Sequence, residues 1–487
     1  MSVSTADISR VIDGVPKGLL INGKQIQTDS VLPVEDPATG QMLAEVADAS
    51  PEQGLEALDA AVAAQESWAG TDPRERGEIL RRGFELLLAR AEDIALLMTL
   101  EMGKPLAEAR TELGYGAEFL RWFSEEAVRV AGRYAVAPSG GTRLLTMKQP
   151  VGPVYAITPW NFPLAMGTRK LGPALAAGCP VVIKPASQTP LTTLVLADIL
   201  TEAGLPDGVV NVITTSTSGK VSAPIIADPR LRKLTFTGST TTGQQLIEQS
   251  AQQVLKISME LGGNAPFLVF ADADLDAAVA GAMLAKMRNI GEACTAANRF
   301  LVHHTVVEEF TARFTAKMAG LTVGPGTEDG VTVGPLIDQA AIDKVTELVA
   351  DAKDHGATLL TGGTVLDRPG HFYTPTVLAD VPTTARIFHE EIFGPVAPIT
   401  TFTDDDEGLA MANDTEFGLV AYAYTQNLTR AIRAAEGLHT GMVAINQGIV
   451  SNPAAPFGGV KASGIGREGG AEGIEEYLET KYVGIKL

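Results

Sequence analysis

Val154-Tyr155-Ala156-Ile157 is the first of five short strand-like runs that decide the fold of this chain. The other four are Val181-Val182-Ile183, Val209-Val210-Asn211-Val212-Ile213, Lys233-Leu234-Thr235-Phe236 and Leu255-Lys256-Ile257-Ser258. Helical segments lie between them, at 164–177, 191–203 and 241–252. Strands that alternate with helices in this way predict an α/β fold with a doubly wound parallel sheet, which binds ligands beyond the carboxyl ends of its strands.

On either side of this region the pattern changes. Residues 51–131 have the apolar spacing of helices, and a second alternation of strands and helices begins after Gly262-Gly263. The chain of 487 residues is therefore predicted to form two α/β domains that share a cleft. The second alternation predicts strands at 267–270, 300–302 and 442–445 and helices at 275–286 and 340–354.

The C-terminal residues 477–485 are rich in β-forming side chains and lie beyond the last core element. A terminal strand of this kind either pairs with another subunit or folds back on its own domain. The sequence pattern leaves both possibilities open.

Composition excludes several classes of partner. A net charge of −20 at pH 7 would repel nucleic acid, and no run approaches the roughly 18 apolar residues of a membrane helix. The N-terminal segment lacks the pattern of a secretory signal. The two cysteines, Cys179 and Cys294, fit a reducing compartment, and the six histidines show no metal-ligand spacing. We therefore expect a cytoplasmic protein without a nucleic-acid, membrane or metal partner.

Three features could carry chemistry. Residues 236–243 run from a strand through a Gly/Ser/Thr turn into a helix, a pattern that holds phosphate through backbone N–H groups but also joins strands to helices in general. Cys294 lies in a glycine-bearing turn, where it is either a nucleophile or a packing residue. Glu260 ends a predicted strand at the ligand-binding edge, whereas Cys179 begins a hydrophobic strand and is expected to pack.

Seven motifs occur in the order and spacing of the aldehyde dehydrogenases, and the chain resembles that family over nearly its whole length. They are Pro159-Trp160-Asn161-Phe162-Pro163, Lys184-Pro185-Ala186, Phe236-Thr237-Gly238-Ser239, Glu260-Leu261-Gly262-Gly263, the Cys294 turn, Glu391-Ile392-Phe393-Gly394-Pro395 and Pro456-Phe457-Gly458-Gly459.

The resemblance implies a dinucleotide-binding domain from residues 1–130 and 150–261 and a catalytic domain from 262–456. It further implies a small β oligomerisation element, together with the C-terminal tail, from 131–149 and 457–487. A homodimer or homotetramer would follow from such an element.

The resemblance also assigns chemical roles. Cys294 would attack the aldehyde as a thiolate, and the Asn161 amide with the Cys294 backbone N–H would hold the oxyanion. Glu260 would act as general base on the water that hydrolyses the thioester. Lys184 would bind the adenosine ribose, Ser239 the pyrophosphate, Glu391 the nicotinamide ribose and Phe393 the nicotinamide. The full set of implied cofactor-binding residues is Trp160, Lys184, Ser187, Gly238, Ser239, Glu391 and Phe393.

Two positions depart from the family pattern. Glu292 stands two residues before the nucleophile, where the family usually has Gln. Because a carboxylate close to the sulfur would raise the thiol pKa, we predict that Glu292 points away from it.

Ser187 stands where many NAD-using members have Glu, which would repel a 2′-phosphate. Serine removes that repulsion and leaves Lys184 free to pair with phosphate, so we predict a preference for NADP over NAD.

Within the family, the run 449–469 resembles most closely the succinate-semialdehyde dehydrogenases. Arg169, Arg288 and Ser451 match the residues with which that subfamily binds the substrate carboxylate, although each arginine could instead pair with a neighbouring Asp or Glu. The resemblance thus implies oxidation of succinic semialdehyde. The alternatives are a dehydrogenase for glutaric or another ω-semialdehyde, a cofactor-free hydrolase or acyl transferase that uses Cys294, and an inactive binding relative.

Overall fold

The computed structural model describes residues 3–487, and its strands overlap each of the predicted strand-like runs. In chain order the strands are β1 Leu19–Ile21, β2 Lys24–Ile26, β3 Val31–Asp36, β4 Gln41–Ala47, β5 Arg133–Val136, β6 Thr142–Pro150, β7 Val154–Ile157, β8 Val181–Lys184, β9 Val210–Val212, β10 Lys233–Thr237, β11 Lys256–Glu260, β12 Ala265–Val269, β13 Ala297–His303, β14 Thr358–Thr361, β15 Thr376–Ala379, β16 Val396–Phe402, β17 Val420–Tyr424, β18 Met442–Ile445, β19 Gly464–Ile465 and β20 Leu478–Lys486.

The helices also follow the predicted segments to within a residue or two where a prediction was made. They are α1 Thr5–Asp13, α2 Pro51–Gly70, α3 Pro73–Ala89, α4 Ala91–Met102, α5 Leu106–Glu126, α6 Ala165–Ala177, α7 Leu191–Glu202, α8 Ser218–Ala227, α9 Thr240–Ala251, α10 Leu275–Met287, α11 Val307–Ala319, α12 Gln339–Asp354, α13 Arg386–His389, α14 Asp405–Asn413, α15 Leu428–Gly437 and α16 Glu472–Glu475, with 3₁₀ turns at Arg288–Gly291 and Lys461–Ser463.

The first large sheet has the strand order β19-β11-β10-β7-β8-β9-β1-β2. Strands β7 to β11 are parallel, and the chain winds outward from β7 first through β8 and β9 and then, on the other side, through β10 and β11. This confirms the predicted doubly wound sheet. The loops after β7 and β10 diverge at its carboxyl edge, and that divergence opens the crevice in which such sheets bind ligands.

The strands β7, β8 and β10 are buried along their whole length because helices cover both faces of the sheet. That burial explains why β7 is a continuous apolar run, whereas β8 ends in the buried Lys184 and β10 carries buried Lys and Thr side chains between its apolar ones. Each fully buried valine or isoleucine side chain contributes about 1.5–3 kcal/mol of transfer free energy. The same burial fixes the carboxyl ends of the strands, from which the site residues project.

The second large sheet has the order β14-β15-β16-β13-β12-β17-β18 and is parallel except for β14. The predicted strands of this domain correspond to β12, β13 and β18. Together the two sheets make the α/β architecture that the sequence predicted.

The C-terminal strand β20 pairs with β6 of its own chain, in an antiparallel register that runs from Leu478 opposite Pro150 to Lys486 opposite Thr142. Of the two possibilities left open by the sequence, the strand therefore pairs within the chain. The resulting sheet, β20-β6-β5, exposes apolar side chains such as Tyr134 and Tyr482. A homodimer or homotetramer stays a prediction.

The short strand β19 extends the first large sheet beside β11, so part of the 457–487 segment packs with that domain. The predicted domain boundaries otherwise stay predictions. Within residues 3–487, no helix combines the length and the apolar composition needed to cross a lipid bilayer.

Candidate active site

A cavity of about 340 Å³ opens at the carboxyl ends of the first sheet, between it and the second domain. Eight of the predicted site residues line this cavity: Trp160, Asn161, Gly238, Ser239, Glu260, Cys294, Glu391 and Phe393. Lys184, Ser187, Arg169, Arg288 and Ser451 do not line it. The structure therefore brings the predicted nucleophile, base and oxyanion residue into one place.

The loop that carries Cys294 begins with an unusual turn. Asn289, Ile290 and Gly291 all have left-handed backbone angles, with φ of 54°, 63° and 80°. Such a conformation is costly for the two residues with side chains and persists only where the surroundings enforce it. The Asn289 amide enforces it here, since its Nδ2 donates to the backbone oxygens of Asn161 at 3.0 Å and of Glu292 at 2.9 Å.

Asn161 is held in place from both ends. Its Nδ2 donates to the backbone oxygen of Glu292 at 3.0 Å, and its own backbone oxygen accepts from Lys104 Nζ at 2.8 Å. Lys104 is fully buried and forms an ion pair with the buried Glu112. Because an amide nitrogen carries two hydrogens, Asn161 keeps one for an oxyanion. Neither Lys104 nor Glu112 could be predicted from the sequence, because neither belongs to a motif.

Glu260 ends β11 and is buried, and neither of its carboxylate oxygens has a hydrogen-bond partner among residues 3–487. Burial raises the pKa of this carboxyl well above 4.5, the charge of Glu468 raises it further, and Arg169 opposes both effects. A buried carboxyl group with free oxygens and a raised pKa has the properties of a general base that works near neutral pH.

Cys294 is half-buried, and burial raises the pKa of its thiol to about 12. The Arg169 and Arg288 guanidiniums lower it, whereas the charges of Glu391 and Glu260 raise it. The thiol therefore holds its proton at neutral pH until a base removes it or further positive charge enters the cavity.

Glu292 points away from the sulfur, which confirms the prediction about its direction. Its Oε1 accepts a hydrogen bond from the Ile337 backbone N–H at 3.0 Å. The side chain of Glu292 is thus held by the 337 segment and not by the sulfur.

The residues assigned to the cofactor form a connected surface. The Trp160 and Phe393 rings meet edge to face at 5.4 Å, and Glu391 Oε1 accepts from the Gly263 N–H at 3.0 Å. Gly263 has no room for a side chain, because a Cβ there would lie 2.6 Å from the Cys294 carbonyl oxygen. Ser239, which lines the cavity, caps α9 by accepting from the Thr242 N–H, so this helix begins at the cavity.

Lys184 and Ser187 lie next to this surface. Lys184 is buried at the end of β8 with its Nζ donating to the Pro185 carbonyl oxygen at 3.0 Å, and burial lowers its pKa to about 8. Ser187 donates to Gln188 Oε1 at 3.2 Å and borders a second cavity of about 390 Å³. No acidic side chain pairs with Lys184 among residues 3–487, so the lysine can accept an anionic group.

The two arginines differ in their surroundings. Arg169 is buried, its Nη2 lies 2.8 Å from Glu468 Oε2, and its guanidinium covers the Phe457 ring at 4.0 Å. Glu468 also pairs with Lys170 at 2.7 Å. Arg169 therefore has the neighbouring carboxylate that the sequence left as an alternative to substrate binding, and Glu468 was not among the predicted site residues.

Arg288, in contrast, has no carboxylate within salt-bridge range among residues 3–487. Its guanidinium lies between the rings of Phe162 at 4.9 Å and Tyr115 at 5.5 Å and is close enough to lower the pKa of Cys294. Ser451 is half-buried in the loop after β18 and forms no hydrogen bond within the same residues.

The model of the aldehyde dehydrogenase family matches residues 24–483. The chain belongs to the aldehyde dehydrogenase family. This confirms the resemblance on which the predicted roles depend. It also excludes the alternative that the chain is an unrelated hydrolase or acyl transferase.

Individual relatives of this aldehyde dehydrogenase cover nearly the whole chain. A succinate-semialdehyde dehydrogenase of Paenarthrobacter nicotinovorans is 59% identical over 444 residues, which are 91% of this chain and 99% of that protein. A glutarate-semialdehyde dehydrogenase of Pseudomonas putida is 49% identical over 469 residues, 96% of this chain and 97% of that protein. A crystal structure of an NADP-dependent enzyme from E. coli is 49% identical, covers 98% of this chain and 99% of its own, and has a TM-score of 0.96.

Proposed function

We propose that this aldehyde dehydrogenase oxidises succinic semialdehyde to succinate with NADP. The observation that carries the proposal is Arg288, a guanidinium without a carboxylate partner that acts on the Cys294 thiol. In a chain with a net charge of −20, an unpaired cation beside the nucleophile serves to bind an anionic substrate. The names of the relatives from Paenarthrobacter and E. coli agree with this substrate and this cofactor.

Cys294 begins the reaction by forming a bond between its sulfur and the aldehyde carbon, after its thiol proton has left for a base in the cavity. Asn161 Nδ2 and the Cys294 backbone N–H stabilise the oxyanion of the tetrahedral adduct. Trp160, Glu391 and Phe393 would hold a nicotinamide cofactor, which would supply the acceptor for the hydride that leaves as the adduct collapses. A thioester on Cys294 remains.

Glu260 completes the cycle. It removes a proton from water, which attacks the thioester carbon, and the Cys294 sulfur leaves with its electron pair and then regains a proton. The free oxygens and the raised pKa of Glu260 support this role. The carboxylic acid product carries the oxygen of that water.

The substrate proposal is tested by removing the charge of Arg288. We expect Arg288→Gln to lower kcat/KM for succinic semialdehyde about 10- to 100-fold, because one charge-assisted contact to the carboxylate is lost. Butanal, which has four carbons and no carboxylate, should be oxidised equally well by both enzymes. Steady-state kinetics with the two aldehydes measures the difference, and an equal loss with butanal would contradict carboxylate binding.

The second candidate substrate is glutaric semialdehyde, because the Pseudomonas putida relative is named a glutarate-semialdehyde dehydrogenase. The same guanidinium would bind its carboxylate in a pocket that is one methylene longer. Semialdehydes of four, five and six carbons, compared by kcat/KM, separate the candidates. A higher value for the five-carbon substrate would replace succinic semialdehyde in this proposal.

Cofactor choice is tested at Ser187. We expect Ser187→Glu to shift the ratio of kcat/KM for NADP to that for NAD about 10- to 100-fold toward NAD, because the new carboxylate repels a 2′-phosphate and competes for Lys184. Ser187→Gln, which has nearly the same volume without the charge, is the control. A wild-type kcat/KM for NAD that equals or exceeds that for NADP would contradict the preference.

A further inference from the structure

Glu292 connects three parts of the site through one residue. Its backbone oxygen accepts from Asn161 Nδ2 and from Asn289 Nδ2, and its side chain accepts from the Ile337 N–H. The residue is fully buried, so solvent does not compete for these bonds. The oxyanion residue, the left-handed turn before Cys294 and the 337 segment therefore share one anchor.

The 337 segment belongs to the wall of the main cavity. Ile337 and Asp338 line it, and Asp338 caps α12 by accepting from the Ala341 N–H at 2.9 Å. Ala341 and Lys344, from the first turns of α12, line the same cavity. A displacement of Ile337 would thus move the start of α12 and the surface that faces the cofactor.

We propose that Glu292 is a positioning residue that, as a neutral carboxylic acid, holds the Cys294 loop against the Ile337 wall of the cofactor cavity. The inference rests on the proposed role of Cys294 as nucleophile. It accounts for a glutamate where the family usually has glutamine, because the neutral acid presents the same acceptor oxygen to the Ile337 N–H as an amide would.

The charges around Glu292 favour its neutral form. Asp338 faces it from the start of α12, and Lys104, a cation that acts on it, is already paired with Glu112. Its Oε2 has no hydrogen-bond partner within residues 3–487. Burial raises the pKa of Glu292 well above 4.5, and the Asp338 charge adds to that rise, whereas the Ile337 hydrogen bond, a larger influence than the Asp338 charge, lowers it.

The sign of the pH effect follows from that direction. A carboxyl whose pKa is raised in the folded protein is neutral at low pH and ionises only as the pH rises through the raised value. Ionisation then leaves a buried charge that the Ile337 hydrogen bond does not offset, and we expect water to enter around the carboxylate and weaken the link between the two segments. The link between loop and wall is therefore present on the acidic side and lost on the alkaline side.

The test compares Glu292→Gln and Glu292→Ala with the wild type. For each enzyme, the Kd for NADP is measured by fluorescence titration and kcat/KM by steady-state assay over a range of pH. We expect Glu292→Gln to match the wild type near neutral pH and to lack the wild-type alkaline rise in Kd. Glu292→Ala should lose about 100-fold in kcat/KM, as a misplaced reacting group does, and should bind NADP more weakly at every pH.

Two controls make the outcomes decisive. Glu126→Gln changes another buried glutamate, one that pairs with Arg129 and lies outside the cavity, and should keep the wild-type pH profile. Cys294→Ala separates two failures: full activity in that variant refutes the nucleophile, whereas its inactivity together with a wild-type-like Glu292→Ala refutes the link. If Glu292→Ala does not fold, an alkaline rise in Kd that persists in Glu292→Gln still overturns the proposal.

Discussion

Cys294→Ala is expected to lower kcat/KM for the aldehyde on the order of 10⁴-fold or more. An aldehyde releases hydride only after a nucleophile has made its carbon tetrahedral, and Cys294 is the cysteine that lines the cavity. The remaining Asn161 and Arg288 contacts can bind the substrate but cannot form the adduct. Steady-state assays at saturating cofactor measure the loss.

Cys179→Ala is the matched control for this prediction. Cys179 is fully buried between the helices and the first sheet, its Sγ lies 3.4 Å from the Tyr477 carbonyl oxygen, and burial raises its pKa to about 11. A buried thiol of this kind is inert, so its removal should leave kcat/KM within a few-fold of the wild type. A comparable loss in both variants would mean that folding, rather than the nucleophile, is affected.

Glu260→Gln is expected to uncouple the two halves of the reaction. Thioester formation continues, whereas hydrolysis slows by about 10²- to 10⁴-fold because no base activates the water. Rapid mixing should therefore show a burst of reduced cofactor equal to one molecule per active site, followed by slow turnover. The thioester itself should be detectable by mass spectrometry of the intact protein.

The pH dependence provides a second measurement of the same residue. Because the Glu260 pKa is raised, the wild-type kcat should fall on the acidic side at a pH above 4.5, as the base becomes protonated. That acidic fall should be absent in Glu260→Gln. A wild-type-like turnover without a burst in the variant would assign the hydrolytic base to another group.

Much of this architecture could be predicted from local pattern. The strands β7 and β8 are buried on both faces, so Val154–Ile157 and 181–183 form continuous apolar runs, and the helices that follow them have the 3.6-residue period. The motif glycines could be recognised because backbone approaches closely there, as Gly263 approaches the Cys294 carbonyl. Glu260 could be placed because it ends β11, and Asn161 and Cys294 could be placed because each lies in a motif a few residues beyond a regular element.

Contacts between segments that lie far apart in the sequence could not be predicted from the sequence alone. The pairing of Arg169 with Glu468, of Lys104 with Glu112 beside Asn161, and of β20 with β6 all depend on packing that brings remote parts of the chain together. A hydrogen bond also requires a direction, which only the packed side chain has.

Glu292 shows most clearly which properties of the site could be predicted from the sequence and which required the tertiary structure. Its position two residues before Cys294 identified it as a departure, and the sequence led us to expect only that it would avoid the sulfur. The tertiary structure supplied its partner, because the loop and the Ile337 segment come from different parts of the second domain and meet only when that domain is packed. Sequence thus determined which groups the site contains, and packing decided their neighbours and hence their charge states, since a pKa depends on burial and on nearby charges.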